Sequence, residues 1–136
     1  MDLRPLTQDE EYARLEALNL AERLIGPPFP FTCGQVQKTY DALRAEAPDW
    51  SEAQIGLGMA FGELIRRVCA MDWVRVCDDL GEETALCVAD TQVCCFPVSM
   101  IQKRFFDAQP CDIVRLRDDT VDAVNALLAS GDYAAR

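Results

Sequence analysis

The sequence predicts an α+β domain: a three- to four-stranded antiparallel sheet packed by a central helix, with further helices flanking it at both ends. Three observations lead there. Residues 7–71 place apolar side chains at three- and four-residue spacing between turn formers. Residues 73–98 switch to alternation, and the last apolar stretch returns to the helical period. At 136 residues the chain fits one domain. Residues 1–50 read as a helical pair joined by a proline-rich connector, and 51–136 as the α+β core.

Thr7 with Glu10 forms a T-x-x-E capping box, and Asp9, Glu10 and Glu11 lie where the helix dipole favours acid. Tyr12, Leu15, Leu18 and Ile25 are expected to form the buried stripe of this first helix, which Gly26-Pro27-Pro28 ends. The connector GPPFPFTCG (26–34) is stiffened by three prolines, with Phe29 and Phe31 expected to pin it to the core. A second helix over about 35–47 turns Val36, Tyr40, Leu43 and Ala47 inward, and Pro48 stops it.

Ser51 with Gln54 gives a second capping box, opening a helix that is expected to reach about Met71. Leu57, Phe61, Leu64 and Val68 form its core stripe; Ile55, Gly58, Gly62, Ile65 and Cys69 lie on another face. Gly56, Gly58 and Gly62 each cost a helix interior about 1 kcal/mol relative to alanine. Close approach of another element would offset that. No strand precedes this G-x-G-x-x-x-G and no Lys-Ser/Thr follows it, so it does not read as a nucleotide loop.

The strands are expected at 73–77, 85–89 and 92–98, with 78–83 (DDLGEE) as a hairpin connection in which Gly81 takes positive φ, and Asp90-Thr91 as the next turn. Pro97 closes the third strand, and Ser99 with Gln102 opens a short helix to about Phe106. CDIVRLR (111–117) reads as a fourth strand. Asp118, Asp119 or Thr120 then caps a last helix that turns Val121, Val124, Leu127 and Leu128 inward and ends near Ser130-Gly131. The unbroken apolar run VCCFPV reads as the central strand, covered on both faces. If it is extended, Cys94 shares a face with Phe96 and Val98 while Cys95 shares the other with Val93. The vicinal cysteines then cannot chelate one ion, and both are expected to be buried and resistant to alkylation.

Composition narrows function by exclusion. The chain has no histidine, which removes Ser-His-Asp and Cys-His nucleophiles and imidazole-ligated zinc. Its seven cysteines contain no C-x-x-C, so no metal or cofactor is expected. An odd thiol count without a secretory signal predicts reduced thiols and a cytoplasmic protein. No apolar run approaches the roughly 20 residues that span a bilayer. A net charge of -10 with pI near 4.3 disfavours nucleic acid and anionic membranes and favours a basic protein partner.

Three groups are candidates for such contact. The acidic hairpin carries Asp78, Asp79, Glu82 and Glu83 at a spacing that fits no EF-hand loop. Trp73 precedes it, beside Arg75. Lys103-Arg104 follows a strand-proline-helix junction and could meet a carboxylate or phosphate, although helical pairing of Lys103 with Asp107 explains it more simply.

The series LGMAFGELI, Trp73 before the VCDDLG turn, and CCFPVSMIQKR resembles an uncharacterised bacterial family, domain of unknown function 3806, over roughly 57–121. The resemblance implies an α+β bacterial domain and assigns no catalytic residue. Cys94 and Cys95 depart from the apolar residues expected there.

The function expected is therefore a non-enzymatic, acidic binding protein. Its most concrete form is a bacterial immunity-type protein that blocks a basic toxin or effector by charge complementarity. One alternative is an accessory or homo-oligomeric structural domain that buries the Gly58/Gly62 face against a second copy. Another is an enzyme that depends on carboxylates or a thiolate.

Overall fold

A computed structural model describes residues 1–131. In chain order it runs β1 (Asp2–Pro5), α1 (Gln8–Ile25), α2 (Cys33–Glu46), α3 (Ser51–Arg66), β2 (Asp72–Asp78), β3 (Gly81–Cys87), β4 (Cys94–Cys95), α4 (Pro97–Phe106) and α5 (Ile113–Ser130). The strands form one antiparallel meander in the order β1-β2-β3-β4, which is the α+β arrangement that the periodicities predict.

Local chemistry sets most helix starts. Thr7 and Glu10 close the expected capping box on α1. Thr32 and Gln35 close another on α2, which therefore begins ahead of the expected position. The box expected at Ser51 does not form, and α4 starts at Pro97, two residues ahead of the expected Ser99. Trp50 is the N-cap of α3, and Gln54 instead donates to the Pro48 carbonyl at 2.6 Å. Pro97 does not close a strand but occupies the first turn of α4, where its missing N–H has no partner to lose. Helix α3 ends at Arg66 rather than Met71, which leaves Val68 exposed.

Helix α3 is the spine of the core. Leu57, Ala60, Phe61 and Ile65 are fully buried among Val36 and Tyr40 of α2, Ile101 of α4, Ile113 of α5 and Leu86 of β3. The close approach foreseen for its glycines is present. A Cβ at Gly56 would lie 2.5 Å from the Ala17 carbonyl oxygen, and one at Gly58 2.5 Å from Val98 Cα. At Gly62 it would strike the Trp73 ring. The Gly58/Gly62 face is thus covered within the chain and is not free for a second copy.

Two segments depart from expectation. Residues 111–117 are not a strand: Asp112 caps α5, its carboxylate accepting from the Arg115 N–H at 3.1 Å. The spacing of Ile113, Thr120 and Val124, all buried, is helical, and the short I-V-R-L-R alternation concealed it. Side chains of α2 hold the approach to this cap. Gln37 donates to the Cys111 carbonyl and accepts from the Ile113 N–H, both at 2.8 Å, while Tyr40 donates to the Gln109 carbonyl at 2.6 Å. The second departure is in α1. Tyr12 and Leu15 face outward; Arg14 and Ala21 are buried, Ala17 and Leu18 pack partly buried against the core, and the small Ala17 and Ala21 lie where α1 crosses α3 at Gly56. Of the connector phenylalanines, Phe31 is buried and Phe29 exposed.

The sheet also corrects the reading of Cys94-Cys95. Strand β1, too short and too polar to stand out in the sequence, pairs with β2 and makes one edge; β4 is the other edge, not the centre. The alternation holds, with Cys95 in the main core and Cys94 in the smaller cluster on the opposite face. There Cys94 is not a reduced thiol, because it lies opposite Cys87 and is bonded to it as a disulfide. The other five cysteines are free, and burial pushes the Cys95 thiol up to about 12. Denaturation without reductant should therefore expose five titratable thiols; a count of seven would show that the bridge is absent. In the native protein Cys95 should label last.

Candidate interaction surface

The four hairpin carboxylates do not converge on one point. Asp78 lies opposite Gly81, so Asp79 and Leu80 form the turn. Asp78 accepts from the Leu80 N–H at 2.8 Å, and Gly81 takes φ +133°, as the turn requires. Leu80 is 98% exposed. Strand alternation sends Glu82 and Glu83 to opposite faces: Glu82 lies opposite Cys77, Glu83 opposite Val76. Glu83 accepts from the Ser99 hydroxyl of α4. Asp78, Asp79 and Leu80 are left at the tip as an apolar side chain flanked by acid.

Glu82 belongs to an ion-pair cluster that ties β1 to α1 and the hairpin. Arg4 grips Glu10 with two hydrogen bonds, at 2.6 and 2.9 Å. Arg75 Nε lies 3.3 Å from Glu10 and 3.6 Å from Glu82, without an aligned hydrogen bond to either. The Arg4 guanidinium, with the Thr7 backbone N–H, holds the Glu10 carboxyl down to about 2, against an ordinary 4.5. Because the folded value is the lower one, the ionised carboxylate stabilises the fold above pH 4.5, and that contribution disappears as pH falls toward 2. Glu10→Gln should flatten this part of an acid-unfolding profile; an unchanged profile would show that the pair contributes nothing.

A second cluster centres on Glu63 of α3. It accepts from Trp73 Nε1 at 2.9 Å and from Arg66 at 3.1 Å, and it pairs with Arg14 at 3.3 Å. Arg14 is only 9% exposed, is also held by Glu11, and lies 5.6 Å from the Trp73 ring centre. Trp73 is therefore a buried structural residue and not part of the surface. Lys103 and Arg104 lie in the last turn of α4, away from its N-terminus. Arg104 donates to the Met100 carbonyl at 3.1 Å, and among the described residues Lys103 makes no ion pair with Asp107.

Away from the hairpin, an open groove of about 790 Å³ lies between α1 and the first turns of α3. Tyr12 (65% exposed), Leu15 (42% exposed), Leu20 and Ile55 supply its apolar surface. Glu16, Glu52 and Arg23 carry the charge on its walls. Apolar spacing marked Tyr12 and Leu15 in the sequence, but spacing alone could not show that they face solvent.

Fold and surface together define a helix-flanked antiparallel meander with an acidic exterior. Its family follows from the sequence match: residues 33–116 fit the family model described as a domain of unknown function (DUF3806), and the chain belongs to that family. The matched span takes in α2, which the shorter motifs had left outside. Among curated proteins none matches. A crystal structure of a protein from Bacteroides thetaiotaomicron VPI-5482 is similar in fold, with a TM-score of 0.74 at 17% identity over 90% of this chain. The chain spans about half of that protein, 47% of its length. Among the described residues, no helix is long and apolar enough to cross a membrane.

Proposed function

We propose that this protein is a non-enzymatic binding domain whose acidic surface engages a basic protein. Its most specific form is an immunity-type inhibitor of a basic toxin or effector. The observation that supports this is the hairpin tip, where Leu80 is 98% exposed directly after the Asp78-Asp79 pair, with the Asp78 carboxylate accepting from its N–H. An exposed apolar side chain ringed by one sign of charge suits a contact that charge steers and burial holds. We propose a cytoplasmic location on the strength of the five unpaired cysteines, with the Cys87–Cys94 bridge as the one feature that counts the other way.

The test is capture of a partner on the wild-type chain and on Asp78→Asn/Asp79→Asn/Leu80→Ser, followed by reconstitution with the purified partner. The wild type should bind a basic protein with an association rate that falls as salt rises. The triple variant should bind at least about tenfold more weakly, which corresponds to the loss of one buried leucine. Equal binding by both chains would overturn the assignment.

A further inference from the structure

We infer that the α1/α3 groove is a second binding surface, built to seat one amphipathic helix of a partner that carries lysine or arginine along its flanks. Tyr12, Leu15 and Leu20 lie along α1 at near-helical spacing, with Ile55 of α3 beside them. Folding does not need this arrangement. The core-facing side of α1 is already filled by Ala17, Leu18 and Ala21, so Tyr12 and Leu15 stay in water unless something else covers them. The groove is open along one helix, which suits an element laid into it.

Its charge selects among occupants. Glu16 and Glu52 on the walls outnumber Arg23, and the chain as a whole carries -10. A second copy would bring the same acidic walls together, whereas a helix with cations beside its apolar stripe would meet complementary charge at both. The inference shares with the proposed function only the sign of the partner's charge, and it uses different residues.

The experiment titrates the isotope-labelled full chain with two synthetic peptides of equal positive charge. One is a leucine-lysine amphipathic helix; the other is a glycine-lysine peptide with no apolar face. The helix should bind at least about tenfold tighter, since burying even one leucine accounts for that factor. Its chemical-shift changes should centre on Tyr12, Leu15 and Ile55. Leu15→Asp, at an exposed position where the fold should tolerate it, should erase the difference between the peptides. Asp78→Asn/Asp79→Asn should leave that difference intact. Equal binding of both peptides, with shifts at the hairpin, would overturn the groove assignment and leave the hairpin reading standing. Binding of neither peptide would overturn the groove assignment, as would a concentration-dependent dimer that Leu15→Asp abolishes.

Discussion

Gly58→Ala is expected to destabilise the protein by about 1–3 kcal/mol, and Gly58→Leu to leave no folded chain, when each is measured by denaturant unfolding. Helix propensity alone predicts the opposite, since alanine is better in a helix interior by about 1 kcal/mol. What reverses the sign is the neighbour. The added Cβ would lie 2.5 Å from Val98 Cα, a backbone atom at the start of α4 that has no rotamer by which to yield. Either α4 moves off α3 or α3 bends, and both disturb a core that includes Ile101 and Phe105. Gly34 is the control. It also lies in a helix, but only the Thr32 hydroxyl comes near its added Cβ, at 3.7 Å. Gly34→Ala should be neutral or stabilising. If Gly58→Ala proved as benign as Gly34→Ala, the close packing of α4 on α3 would be wrong.

Glu63→Ala should cost about 3–4 kcal/mol, the low side of the range for breaking a buried ion pair because the Glu63 side chain is still 21% exposed. One carboxylate serves three donors from three elements: Arg14 of α1, Arg66 of α3 and Trp73 of β2. Its removal strands the Trp73 indole N–H and leaves the nearly buried Arg14 with Glu11 alone. Glu63→Gln keeps an acceptor for the indole but loses the charge, so it should cost less than Glu63→Ala. A double-mutant cycle of Glu63→Ala with Arg14→Ala should return a coupling energy of about 1 kcal/mol or more, while additive effects would reduce the network to independent contacts.

What the sequence made legible follows a physical boundary. Capping at Thr7, the core stripe of α3, the hairpin at Gly81 and the tight packing around Gly58 all depend on residues near one another in the chain, or on one residue type that only one circumstance justifies. Some misses were local, such as the Thr32/Gln35 box and the Asp112 cap behind a misleading I-V-R-L-R alternation, but three others depend on partners set by the fold. Strand β1 exists because β2 is there to pair with it, and four residues with two charges and a proline carry no strand signal alone. The Cys87–Cys94 bridge needs the register of two strands, and seven cysteines admit many pairings. Trp73 looked like a surface candidate because its period-two neighbours left its face undetermined; Glu63 and Gly62, ten and eleven residues earlier, determine it. In the candidate surface, the acid of the hairpin was legible from composition, whereas the outward turn of Tyr12 and Leu15 needed the α1–α3 crossing.

The two edges of the sheet bear on how this protein can associate. Strand β1 ends at Pro5 with Asp2 and Arg4 before it, and β4 lasts only two residues before the chain reaches Pro97 and turns into α4. A proline supplies no N–H to an incoming strand, and charge along a short edge discourages ladder growth. The sheet is in effect stopped at both sides. Extension by a borrowed strand, with the amyloid-like assembly to which open edges lead, is therefore disfavoured. The two proposed contacts, at the hairpin tip and along the first helix, accordingly use side chains and not a shared ladder.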